Sequence, residues 1–206
     1  MTMPDDHPSL RSEQVAQTRA ALVSAGRRLF GAGGFAATSV EDIAREARVT
    51  TGALYHHFPT KAAVFEAVFE QLHAELMASS LAAAAAGGDI VDLLIAGFGA
   101  FLDKVQEPGV QRILLTDAPA VLGLSRFIEL DERHAFPATV AALTAADEAG
   151  TLRVDDPPTL ARLLLGALTR AGLLVAGSAD PAATRDAVAA TLRSLISGLA
   201  PPGDDR

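Results

Sequence analysis

The run Thr50-Thr51-Gly52-Ala53-Leu54-Tyr55-His56-His57-Phe58 gathers two hydroxyls, a phenol and two imidazoles in one short stretch, and Tyr55 is the chain's one tyrosine. Such side chains can donate to phosphate oxygens and base edges, while Ala53 or a threonine methyl suits contact with a thymine methyl. Gly52 and Ala53 leave room for close approach at the start of a helix, where the backbone dipole also favours phosphate. Leu54 and Phe58 read as core. The bland alternative is a half-buried Tyr55 beside two solvated histidines. The preceding pattern favours the first reading: Thr38-Ser39-Val40-Glu41-Asp42-Ile43-Ala44-Arg45-Glu46-Ala47 is a compact helix only a few residues away. Two short helices joined so tightly read as a helix-turn-helix, whose second helix enters the major groove of DNA.

Catalytic chemistry finds little support. The histidines are dispersed, and there is no cysteine, no HExxH and no glycine-rich phosphate loop, so no metal, cofactor or enzymatic activity is expected. Asp131-Glu132 and Asp155-Asp156 read as solvated helix ends and turns.

The net charge of -8 conceals a division. Residues 11 to 61 hold seven basic and four acidic side chains, a balance of +3, whereas residues 62 to 206 carry -9. Exposed charges act over roughly 10 Å at moderate salt, so the local excess favours phosphate where the helix-turn-helix lies. Arg162 and Arg170 interrupt the leucine-rich stretch near the C-terminus, and Asp89 and Asp103 bracket the one around Phe98, which argues against a membrane span. The N-terminal Asp5-Asp6-His7 lacks a secretion pattern. These features, with the missing cysteines, lead to an expected cytoplasmic location without membrane partners.

The elements that position these residues follow from periodicity. Residues 1 to 12 are polar and expected to be mobile; a first helix spans 13 to 32, with Leu22, Ala25, Leu29 and Phe30 on one face, and Gly33-Gly34 ends it. The second helix has two possible capping boxes, Thr38 with Glu41 or Ser39 with Asp42, and a buried face of Val40, Ile43, Ala44 and Ala47. A fourth helix starts after Pro59 and runs through Val64, Phe65, Val68, Phe69, Leu72 and Leu76 toward Ala82 to Ala86 and Gly87-Gly88. Its length would link the small DNA-reading part mechanically to the rest. Further helices are predicted at 89 to 106, 108 to 117, 124 to 149, 157 to 177 and 181 to 199, with Pro137 kinking or dividing the third of these. No period-two alternation appears, so the fold class is all-α. The last two helices are apolar over arcs wider than one core face needs. That surplus points to a homodimer joined through Leu164, Leu168, Leu192, Leu195 and Ile196.

Phe30, Gly34-Phe35, Thr38-Ser39-Val40, Asp42-Ile43-Ala44, Val49, Gly52, Leu54-Tyr55, His57-Phe58 and Lys61 together resemble the N-terminal domain of the TetR family of transcriptional regulators. The likeness covers roughly residues 16 to 76; the remainder is similar only as an acidic helical region of suitable length. The resemblance implies a DNA-binding domain over 16 to 76, an effector-binding and dimerisation domain over 77 to 200, a helix-turn-helix over 39 to 58 and a recognition helix from Thr50 to His57. It further implies a homodimer reading a palindromic double-stranded operator, usually as a repressor released by a small-molecule effector. The alternatives are a ligand-independent DNA-binding protein and a helical enzyme with an accessory DNA-binding domain.

The expected DNA contacts are Thr38, Ser39, Arg48, Thr50, Thr51, Gly52, Ala53, Tyr55, His56, His57 and Lys61, the last matching the family's phosphate-contacting lysine. Arg45 is open between contact and solvated charge. Two positions depart from the family pattern: Gly26 stands where alanine is usual, and Arg48 where the turn often has glycine. If Arg48 takes a positive φ it is strained, and a phosphate contact would offset the strain. Phe98, Phe101, Arg112, Phe127, His134 and Phe136 are candidate effector contacts, with Gly97 and Gly99 leaving space beside a helix; ordinary core is the competing role for each aromatic.

Overall fold

The computed structural model describes residues 10–84 and 88–201. The predictions for residues 1–9 and for the end of the fourth helix at 85–87 lie outside the described residues, whereas residues 10–12, expected to precede the first helix, belong to it. Every regular element among the described residues is helical: α1 (Leu10–Gly33), α2 (Val40–Glu46), α3 (Thr51–His57), α4 (Lys61–Ala84), α5 (Ile90–Lys104), α6 (Pro108–Gln111), a π-helical turn (Arg112–Asp117), α7 (Ala118–Leu122), α8 (Leu124–Glu148), α9 (Pro157–Ala176) and α10 (Pro181–Ser197). The chain forms two compact units, Met1–Phe69 and Glu70–Arg206, which meet within α4, against an expected division after residue 76.

In the first unit, Phe30, Phe35 and Phe65 form the centre of the core, with ring centroids 5.3 to 5.7 Å apart. Gly26 explains its own departure from alanine. A Cβ there would meet Val64 Cγ1 at 3.0 Å and Phe30 Cε2 and Val68 Cγ2 at 3.3 Å, so glycine lets α1 approach α4 closely and offsets its cost in helix propensity. Of the two possible capping boxes, Ser39 with Asp42 forms: the Ser39 hydroxyl accepts from the Asp42 N–H at 3.0 Å, and the Asp42 carboxylate accepts from the Ser39 N–H at 3.2 Å. Thr38 is instead 5% exposed and donates its hydroxyl hydrogen to Gly34 O at 2.9 Å.

The second unit is built around Leu102, Leu143, Ala146, Leu164, Leu168, Val175, Leu192 and Ile196. Two ion pairs tie α10 to α5, Arg185 with Asp103 at 2.8 Å and Arg193 with Asp92 at 2.6 Å. Pro137 does not divide α8, which runs unbroken for 25 residues. The helix predicted over 108 to 117 continues to Leu122 through the π turn, in which Ala118 N–H reaches Ile113 O. Pro119 has no N–H for the Leu115 carbonyl, so the widened turn ends just where an α-helical bond is unavailable. The helix α9 has the length and hydropathy of a bilayer span, with mean hydropathy 1.5 over its apolar window. It nevertheless carries Arg162 and Arg170, and it turns Ala161, Leu164, Leu165, Leu168, Ala171 and Val175 into the core.

That packing corrects the predicted dimer contacts. Leu164, Leu168, Leu192 and Ile196 are at most 7% exposed and fill the core of their own unit. A partner cannot reach them. Leu195 is 60% exposed, and on α9 the opposite face presents Leu163 and Leu174, 66% and 50% exposed. The wide apolar arc therefore divides into a core stripe and an outward stripe, and counting apolar positions alone did not separate the two.

Candidate functional site

The helix-turn-helix is held by a specific chain reversal. After α2, Arg48 N–H bonds Arg45 O at 3.1 Å and Val49 N–H bonds Ala44 O at 2.9 Å, with Arg48 at φ 58°. This is a Schellman closure, in which the left-handed residue is normally glycine. Arg48 is exposed, so it bears the strain with a solvent-accessible cation two residues before Thr50. Thr50 then caps α3 by accepting from Ala53 N–H at 3.1 Å, and its hydroxyl hydrogen is left to donate outward. Leu54 and Phe58 anchor the helix at 0% and 3% exposure, with the Arg19 guanidinium 4.9 Å above the Phe58 ring.

The opposite side of α3 is open. Tyr55 is 52% exposed, His56 is exposed and His57 half-buried, with the two imidazoles edge to face at 5.6 Å. A Cβ on Gly52 would meet only Thr50 Oγ1, at 3.9 Å. Internal packing does not demand glycine there, and the bare backbone is available for close approach. Thr51 and Ala53 are half-buried at the same end of the helix.

Three predicted DNA contacts carry structural roles within the domain. Thr38 is enclosed, as described above. The hydroxyl of Ser39 is engaged within its cap, where it and the Arg45 guanidinium hold the Asp42 carboxyl below its usual range. Lys61 turns inward: its ammonium donates to Phe35 O at 2.9 Å and Thr38 O at 2.8 Å and lies 4.1 Å from the Phe35 ring centroid. It thus satisfies carbonyls of the turn leading into α2. Position after the motif could not distinguish that role from a phosphate contact.

The second unit holds a partly open apolar cavity of about 210 Å³, bordered by residues of α4, α5, α8 and α9. Phe98, Phe101, His134 and Gly97 line it as expected; Arg112, Phe127 and Phe136 do not. Phe136 lies under the Arg162 guanidinium, 4.4 Å from its ring centroid, and Gly99 adjoins Arg185. Sequence reasoning missed His73 and misassigned Asp131, both of which face the cavity. The His73 and His134 rings stack at 5.8 Å, and His73 Nε2 is 3.5 Å from Asp131 Oδ1. Burial and the neighbouring His134 push His73 down to about 3. Burial, reinforced by Glu132, pushes the Asp131 carboxyl up to about 6. Both groups are driven toward their neutral forms, so the contact is a long polar one rather than an ion pair. Asp131 is no solvated helix end. The signal was its spacing from His134, which sets both on one face of α8, one turn apart.

Residues 22–68 match the family described as bacterial regulatory proteins, tetR family, and residues 91–199 match the tetracyclin repressor-like C-terminal domain. A solved TetR-family transcriptional regulator from Pectobacterium atrosepticum is 33% identical, with TM-score 0.79 over 92% of this chain and 97% of that one. RolR, solved in complex with resorcinol, shares the fold at 18% identity and TM-score 0.73, over 90% of each chain. The transcriptional regulator TtgR of Pseudomonas putida is 43% identical over 61 residues, 30% of this chain and 29% of its own length. The chain belongs to the TetR family of transcriptional regulators, which are not enzymes.

Proposed function

We propose that the protein is a homodimeric, sequence-specific repressor that binds a palindromic operator and is released by a small-molecule effector held in the second unit. The observation carrying this reading is the exposed row Arg48, Thr50, Gly52, Tyr55 and His56, mounted on a helix whose other side is anchored by Leu54 and Phe58. Arg48 and the hydroxyl donors position the helix on phosphates, while Thr51, Ala53 and His56 face the base edges. Pairing of two chains through Leu163, Leu174 and Leu195 supplies the two-fold symmetry that a palindrome mirrors, with half-sites roughly 34 Å apart.

The apolar cavity with its His73, Asp131 and His134 edge favours effector control over ligand-independent binding. An unbiased selection from random duplexes, followed by titration of the recovered fragment over a range of salt, tests the proposal. An inverted repeat should emerge, with affinity falling steeply as salt rises. Recovery of no inverted repeat would overturn it.

A further inference from the structure

Resting on the reading of the cavity as an effector site, we infer the chemical class of its ligand: a compact, uncharged, largely apolar molecule bearing a hydroxyl, recognised by Asp131 and His134.

The polar groups of the lining point to this class. Ser80 donates its hydroxyl hydrogen to Gly97 O at 3.0 Å, Thr139 to Ala135 O at 2.9 Å and Thr169 to Leu165 O at 3.1 Å. All three hydrogens are therefore used on backbone carbonyls, and these hydroxyls keep only oxygen lone pairs for a ligand. Asp131 adds a carboxylate, which accepts when ionised. Among the described residues no lysine or arginine lines the cavity. A carboxylate ligand would thus find a neutral imidazole N–H as its one class of donor and no cation to offset its charge, and it would face a like charge at Asp131 in an environment that already disfavours charge.

His134 narrows the class further. Its Nε2 is buried and has no hydrogen-bond partner within the protein. Such an atom is costly to leave unsatisfied. A hydroxyl can donate its one hydrogen to Asp131 while its oxygen accepts from His134 in the tautomer that carries its hydrogen on Nε2. An ammonium has no lone pair with which to do so. The volume sets the scale of the buried part of the ligand: a cavity of roughly 150 Å³ holds benzene, so about 210 Å³ accommodates a single ring with a short alkyl chain. Phe98, Phe101 and Leu168 supply its apolar contacts.

The test is calorimetric titration of the full-length protein with 4-propylphenol, 4-propylanisole and 4-propylbenzoate, with histidine ring NMR signals reporting whether binding occurs at His73 and His134. The phenol is expected to bind about ten-fold or more tightly than the anisole, which has lost its donor, and the benzoate most weakly. His134→Leu should narrow the gap between phenol and anisole, and Asp131→Asn should improve the benzoate relative to the phenol. The wild-type ratios stand without either variant, should one fail to fold. Anisole binding as tightly as phenol, or benzoate binding more tightly, would overturn the ligand class while leaving the effector site intact. Failure of all three to perturb the histidines would remove the effector site, and the class with it.

Discussion

Arg48 combines two properties that usually exclude one another, a left-handed backbone and a long charged side chain. An L-residue in that conformation costs roughly 1 to 2 kcal/mol, and the Schellman closure that requires it also sets the entry to α3. Arg48→Gly is therefore expected to stabilise the protein by about 1 kcal/mol in urea unfolding while weakening operator binding across all sequences and reducing its salt dependence. Unchanged stability would show that the strain is relieved elsewhere; unchanged binding would show that the guanidinium does not reach DNA. Lys61 is expected to behave in the opposite way. Lys61→Ala leaves the Phe35 and Thr38 carbonyls without their ammonium donor, so its main effect should be a loss of about 1 to 3 kcal/mol in unfolding free energy. A variant of full stability with weakened DNA binding would restore Lys61 to the phosphate.

At the scale of elements, the last two helices divide residues of one type between two duties. Leu195→Glu should convert a dimer into a stable monomer in light scattering, because Leu195 is 60% exposed. Leu192→Glu should unfold the second unit, because Leu192 is 5% exposed within the core. A dimer that survives Leu195→Glu would displace the interface from this face. The contrast marks how far the sequence was legible. Helical periodicity and caps gave the all-α class, the positions of α2 and α3 and the capped turn between them, because those features are encoded within a few residues. The course of α6 to α7 through a π turn was not visible, and neither was the inward turn of Lys61. The cavity edge joins His73 on α4 to Asp131 and His134 on α8, and that pairing depends on packing between helices far apart in sequence. Asp131 looked like a surface acid because its neighbour Glu132 is one, engaged with Arg162 at 3.2 Å.

Across the whole molecule, the buried polar edge should leave a signature in acid stability. The folded-state pKa of His73 is depressed from 6.5 to about 3, so its contribution is present above pH 6.5 and is lost as pH falls toward 3. That of Asp131 is raised from 3.8 to about 6, so its contribution is full below about 3.8 and is lost as pH rises through 6. Between about pH 4 and 6 the two slopes oppose one another. Asp131→Asn should expose the His73 slope, giving a steeper loss of stability than wild type as pH falls through that window; parallel urea-unfolding curves would contradict the assignment. On the proposed reading of the cavity as an effector site, the same edge would bear on control, because α4 contributes Val64, Phe65 and Val68 to the core of the first unit and His73, Met77 and Ser80 to the cavity wall of the second. An effector that favours one setting of this continuous helix can change the separation of two recognition helices, and a rigid dimer then loses contacts on a half-site together. A coupling of about 1 to 3 kcal/mol would weaken operator binding roughly 5- to 150-fold. Linkage requires the operator to weaken effector binding by the same factor. Calorimetric titration of a bound effector with and without operator measures both directions, and equal affinities in the two titrations would exclude release by this route even with the cavity filled.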